Sequence, residues 1–108
     1  MNTMTQGLQA MLAAGKDNAL LRVTLGKAAL DADQPADAIP HLQRAVEQDP
    51  HYSVAWKLLG KAQLAQGQTD AARAAWTEGL RCAEAKGDAQ VVKELGVFLR
   101  RLDKAGTP

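Results

Sequence analysis

His41, His51, Cys82, Ser53 and the carboxylates Glu47, Asp49, Glu78 and Glu84 are the side chains able to serve as nucleophile, general base or metal ligand. A metal site needs three or four N, O or S donors converging on one point. The two histidines lie on a helix surface and in a turn, with no third ligand beside them. Cys82 is the only cysteine, and a lone helix cysteine behaves as a small hydrophobe. Ser53 is the only serine and reads as a helix cap rather than a nucleophile. There is no Gly-rich phosphate loop and no H-E-x-x-H pair. The four carboxylates read as solvated helix residues. Trp56 and Trp76 have the chemistry to stack on a base or ligand, but read better as core. The expectation is a protein that is not an enzyme and takes neither a metal nor a cofactor.

The elements that carry these residues follow from composition. The chain has 108 residues, 46% hydrophobic but only 4% aromatic, with alanine making up much of the apolar share. Such a length forms one domain that buries roughly 65% of its unfolded surface. Thin side chains suit closely packed helices, whereas a sheet favours β-branched and aromatic residues. Thirteen Lys and Arg against twelve Asp and Glu give a net charge of +1. That balance argues against a dedicated nucleic-acid or membrane-surface binder. One cysteine leaves no intrachain disulfide. Residues Met1 to Gly15 carry no charge and lack the basic start of a signal peptide. No stretch approaches the ~20 apolar residues of a membrane-spanning helix. The expected location is cytoplasmic.

An internal repeat organises the helices. Arg22-Val23-Thr24-Leu25-Gly26-Lys27-Ala28 lines up with Trp56-Lys57-Leu58-Leu59-Gly60-Lys61-Ala62 at an offset of 34 residues. At the same offset Ala38 meets Ala72, Leu42 meets Trp76, Ala45 meets Gly79, and Asp33-Gln34 meets Gly67-Gln68. Glycine inside a helix costs about 1 kcal/mol relative to alanine. Its recurrence at Gly26 and Gly60 therefore calls for a structural reason, which close approach of a partner helix supplies. On this reading Ala38, Ala45 and Ala72 are small knobs on the facing helices, and Leu42 and Trp76 fill space between hairpins.

These residues resemble the tetratricopeptide-repeat motif, whose signature runs W-x2-L-G-x2-Y, then A-x3-F, then P over about 34 residues. Trp56, Leu59, Gly60, Ala72 and Trp76 match it in the second unit. Leu25, Gly26, Ala38, Leu42, Ala45 and Pro50 match it in the first. Arg22 stands for the tryptophan, Ala29 and Gln63 for the tyrosine, and Glu84 for the second proline. The resemblance covers residues 19 to 86 most clearly. It implies an all-α fold, a right-handed stack of antiparallel helical hairpins with about six helices.

The helix signals agree with that plan. Asp17 or Asn18 can cap a helix running to about Ala32, and Ser53 can cap its counterpart to about Gln66. Pro35 suits the first turn of the helix that ends at Asp49-Pro50. Pro40, near the start, should bend that helix slightly rather than break it. The next helix runs from about Asp70 to Ala85, with Gly87 as its stop. Met4, Leu8, Met11 and Leu12 share one apolar face, and form the second half of an incomplete leading repeat. Val92, Leu95, Leu99 and Leu102 share a face of the closing helix, which acts as a polar-backed cap. Gly106-Thr107-Pro108 reads as a frayed tail. The single domain then comprises a leading helix over 3–15, repeats over 19–52 and 53–86, and a capping helix over 89–104.

The resemblance also implies where a ligand sits, since in this family the first helix of each hairpin lines a concave groove. The groove stripe is Val23, Lys27 and Leu30, then Lys57, Lys61 and Leu64, then Lys93, Val97 and Arg100. Spacing of i, i+4, i+7 puts each trio on one helix face. That stripe is apolar and basic with no acid in it. The outer segments, 35–49 and 70–88, carry four bases against seven acids. Some tetratricopeptide domains clamp chaperone carboxylate tails with Lys, Asn and Arg. Lysine stands here after Gly26 and Gly60 where that clamp has asparagine, and Thr24 and Leu58 supply no amide. The expected function is therefore a non-catalytic adaptor that binds an extended or helical, acidic peptide segment of another protein. The alternative is structural self-association through the stack ends, Met4–Leu12 or Val97–Leu102. The oligomeric expectation is a monomer or weak homodimer. Nucleic acid is disfavoured because the stripe lacks exposed aromatics for stacking bases.

Overall fold

The computed structural model describes residues 3–105, without the side chains of Thr3 and Met4. The expectations for Met4 and for the tail 106–108 lie outside the described residues. Six helices follow in order: α1 (Thr3–Ala13), α2 (Ala19–Asp31), α3 (Pro35–Gln48), α4 (Ser53–Ala65), α5 (Thr69–Lys86) and α6 (Ala89–Ala105). No strand occurs among the described residues, so the fold is all-α.

Local chemistry sets the helix ends. The Asn18 side chain accepts from the Leu21 N–H at 2.9 Å and opens α2. Pro35 occupies the first turn of α3, and the helix runs unbroken through Pro40. The tight turns inside the two hairpins both need a left-handed residue, supplied by Asp33 (φ +58°) and Gly67 (φ +76°). Gly87 (φ +73°) closes α5 in the same conformation, the usual helix stop. Ser53 does not act as the expected cap. It is the first helical residue of α4 and is buried, while Tyr52 precedes it without a side-chain capping bond. The turn closed by the Tyr52 N–H on the Asp49 carbonyl, 3.1 Å, starts the helix instead. Ser53 is thereby turned inward, its carbonyl near Gly79.

Helices α2 and α3 form one antiparallel hairpin and α4 and α5 the next, with α6 packed on α5 and α4. Helix α1 touches only α2. The first helices of successive units stay close, α2 to α4 and α4 to α6, whereas the backbones of α3 and α5 stand farther apart. The outer helices are therefore splayed and the inner row is tight, which makes α2, α4 and α6 the inner layer of the stack.

The glycines explain how the hairpins close. A Cβ on Gly26 would stand 2.5 Å from Leu42 Cγ, and one on Gly60 would stand 2.5 Å from Trp76 Cδ1. Each glycine is thus a notch for a large side chain of the same hairpin, rather than a seat for the small alanine knobs. Leu42 has no exposed surface and Trp76 only 3%. Leu25, Ala38, Ala45, Leu59 and Ala72 are buried beside them. Trp56 is only half-buried, and its Nε1 donates to the Pro50 carbonyl at 2.8 Å. One core cluster joins α2, α3 and α4 with Ala75 of α5, and a second joins Trp76 and Ala83 to Val91, Leu95 and Leu102 of α6.

Candidate peptide-binding face

The inner layer carries the stripe expected from sequence, but its members have different fates. Val23 is 6% exposed and packed in the first core cluster, so it is a core residue and not a groove residue. Leu30 is half-buried against the same cluster. Lys27 is exposed and pairs with Asp31 one turn on, at 2.9 Å. Lys57 is largely buried and reaches both carboxylate oxygens of Glu94, at 3.3 and 3.4 Å, tying α4 to α6. The stripe is therefore not free of acid in three dimensions. Asp31 was legible as the i+4 neighbour of Lys27, whereas Glu94 arrives from another helix.

Lys61, Lys93 and Arg100 are exposed, Leu64 is 38% exposed, and Val97 is half-buried. The Lys61 ammonium stands 5.7 Å over the ring of Phe98, within cation–π range. Phe98 in turn meets Trp76, with ring centroids 5.1 Å apart and planes tilted by 44°. Around this stack lies a cavity of about 540 Å³, with Leu64 and Ala65 of α4 facing Arg101, Leu102 and Ala105 of α6. Phe98, Arg101 and Ala105 lie outside the groove stripe expected from sequence, and Leu102 was placed there only on the apolar face of the closing helix, although the four share the i, i+3, i+4, i+7 spacing of one helix face. Gly96, which echoes Gly60 in sequence, is no notch. Only the Arg100 guanidinium comes near its Cβ position, at 3.5 Å.

Several charged groups outside this face are paired with one another. Asp17, in the turn before α2, accepts from Arg22 at 2.8 and 3.0 Å and from Gln48 at 3.0 Å. Those hydrogen bonds hold its carboxyl far below the usual carboxylate range. Arg22 also donates to His41 Nδ1 at 3.1 Å. Burial first, and then the Arg22 charge, depress the His41 pKa below 6.5. On α5, Arg81 pairs with Glu78 and lowers its pKa. Cys82 is 1% exposed, lies 3.3 Å from the Pro50 carbonyl, and has its pKa raised by burial. It is a protonated core thiol rather than a nucleophile.

The arrangement is that of a helical-repeat scaffold offering a mixed apolar and basic inner face. A family model described as tetratricopeptide repeat matches residues 29–83. The chain is 58% identical over 104 residues to the TPR repeat-containing protein PA0015 of Pseudomonas aeruginosa, covering 96% of this chain and 99% of that protein. It is also similar to the solution structure of protein BPP2914 from Bordetella parapertussis. That match has a TM-score of 0.82 at 54% identity, and covers 97% of this chain and 91% of the other. The chain belongs to the tetratricopeptide-repeat family. Repeats of this family generally mediate protein–protein interaction. No helix among the described residues is long and apolar enough to cross a membrane.

Proposed function

We propose that this chain is a non-catalytic adaptor that holds a peptide segment of a partner protein against the inner face of α2, α4 and α6, and that acidic segments are preferred. The observation that carries this reading is the layer geometry. The inner helices touch in a continuous row while α3 and α5 stand apart, so the inner row presents an unbroken surface. Lys61, Lys93 and Arg100 are exposed along it. The outer helices carry ion pairs of their own, Arg44 with Glu47 and Arg81 with Glu78.

Affinity capture with mass spectrometry tests the reading, comparing wild type with Lys61→Glu on the inner face and Glu78→Lys on the outer wall. The inner-face variant should lose specific partners that the outer-wall variant keeps. Loss confined to Glu78→Lys would place the binding surface on the convex side. A second reading, self-association through the N-terminal end of the stack, is favoured by Met11 and Leu20, which are 44% and 67% exposed. Light scattering that shows a concentration-dependent dimer, abolished by Leu20→Glu, would support it.

A further inference from the structure

We infer that the cavity between the C-terminal ends of α4 and α6 is an anchor site for a peptide carrying a bulky apolar side chain next to a carboxylate. This rests on the peptide-binding reading above and narrows it to one end of the inner face. The cavity volume of about 540 Å³ falls in the range of small-ligand clefts, roughly 300–1,000 Å³. Its walls are Leu64 and Leu102, with the Trp76–Phe98 stack between them. That surface suits an aliphatic or aromatic side chain.

Charge selects what accompanies the anchor. Of the eleven cations elsewhere, six, Arg22, Lys27, Arg44, Lys57, Arg73 and Arg81, have an acidic partner. Lys61 and Arg101, the two cations at this cavity, have none among the described residues, and no acid lines it. An apolar anchor that enters strips water from both cations. Burying a charge without a partner is costly, so a ligand that brings a carboxylate within reach of Lys61 or Arg101 is favoured over one that does not. The Phe98 ring keeps the Lys61 ammonium near this cavity, which limits the ordering that such a pair requires. The opposite end of the face lacks this property, because Asp31 and Glu94 already neutralise Lys27 and Lys57.

The test uses a random dodecapeptide phage library panned on the full chain. Enriched peptides are then synthesised and titrated into the ¹⁵N-labelled protein. Enriched sequences should place Leu, Ile, Met or Phe within a few residues of Asp or Glu, and amide shifts should cluster at Lys61, Leu64, Phe98 and Arg101. Leu64→Glu and Arg101→Glu, both at exposed positions, should each weaken binding on the order of tenfold, as loss of an anchor or reversal of a contacting charge does. Glu47→Lys, on the outer helix α3, should leave affinity unchanged. Shifts centred on Lys27 and Lys57 would overturn the anchor site while leaving the inner face as the binding surface. Shifts on α3 and α5, or no enriched peptide, would overturn both. Enriched peptides without acids would overturn the carboxylate requirement. Concentration-dependent shifts at these amides without peptide would assign the cavity to a second copy of the chain.

Discussion

Trp76 of α5 lies so close to Gly60 of α4 that a Cβ there would stand 2.5 Å from its Cδ1, while its Nε1 donates to the Lys57 carbonyl at 3.0 Å. The indole is thus fixed on both sides, by a notch in the backbone and by a hydrogen bond within the same helix turn. Gly60→Ala should destabilise the fold by about 1–3 kcal/mol, because Trp76 is buried and cannot yield. Gly60→Leu should cost more. Gly7, on the exposed side of α1, has nothing within 4 Å of its Cβ position. Gly7→Ala should therefore be stabilising, by up to about 1 kcal/mol from helix propensity. Thermal melts of the three variants check the contrast, and a rise in melting temperature for Gly60→Ala would refute the notch.

The ion pair between Lys57 and Glu94 makes charge reversal at Lys57 a structural change as well as a surface one. With side-chain exposures of 17% and 32%, the pair is partly shielded from water. Lys57→Glu should destabilise by roughly 1 kcal/mol through repulsion, and adding Glu94→Lys should restore most of the loss. Lys61→Glu, whose ammonium contacts a ring and no acid, should leave the melting temperature nearly unchanged. A double-mutant cycle measured by urea denaturation separates the two lysines.

His41 gives the fold a pH dependence of determined sign. Burial and Arg22 lower its pKa in the folded chain below its ordinary value of 6.5. As pH falls through about 6.5, the unfolded chain binds a proton that the folded chain still refuses, so the folded state loses stability. The contribution is fully present above pH 6.5 and declines below it, down to the folded pKa. Urea midpoints for His41→Gln should accordingly fall less than those of wild type between pH 7.5 and 5. Equal slopes would show that His41 keeps its ordinary pKa.

Asp17 acts in a lower window. Its folded pKa is depressed by Arg22 and Gln48, so its contribution is present above its ordinary value of 3.8 and is lost as pH falls below about 4. Asp17→Asn should lower the melting temperature at pH 7, and the gap to wild type should narrow steadily as pH falls below about 4. It should also loosen the junction that Asp17 makes between α2 and α3 through Arg22 and Gln48, which hydrogen exchange at those helices would register.

The sequence by itself determined the repeat, its turns and its notches. A mid-helix glycine at Gly26, repeated 34 residues on at Gly60, reports a close approach at both positions, and Asp33 and Gly67 stand where a left-handed turn residue is required. These are local demands of backbone geometry, so they are written into single positions. Only the tertiary structure decided which stripe residues are available. Val23 and Lys57 share one repeat position, yet Val23 is buried in the first core cluster and Glu94 of α6 captures Lys57. Phe98 and Arg101 have no counterpart in the repeat pattern, and join Lys61 and Leu64 around one cavity only because α6 packs antiparallel along α5 and also meets α4. The angle between successive hairpins fixes those neighbours. That angle is set by many side-chain contacts at once, so no single position in the sequence carries it.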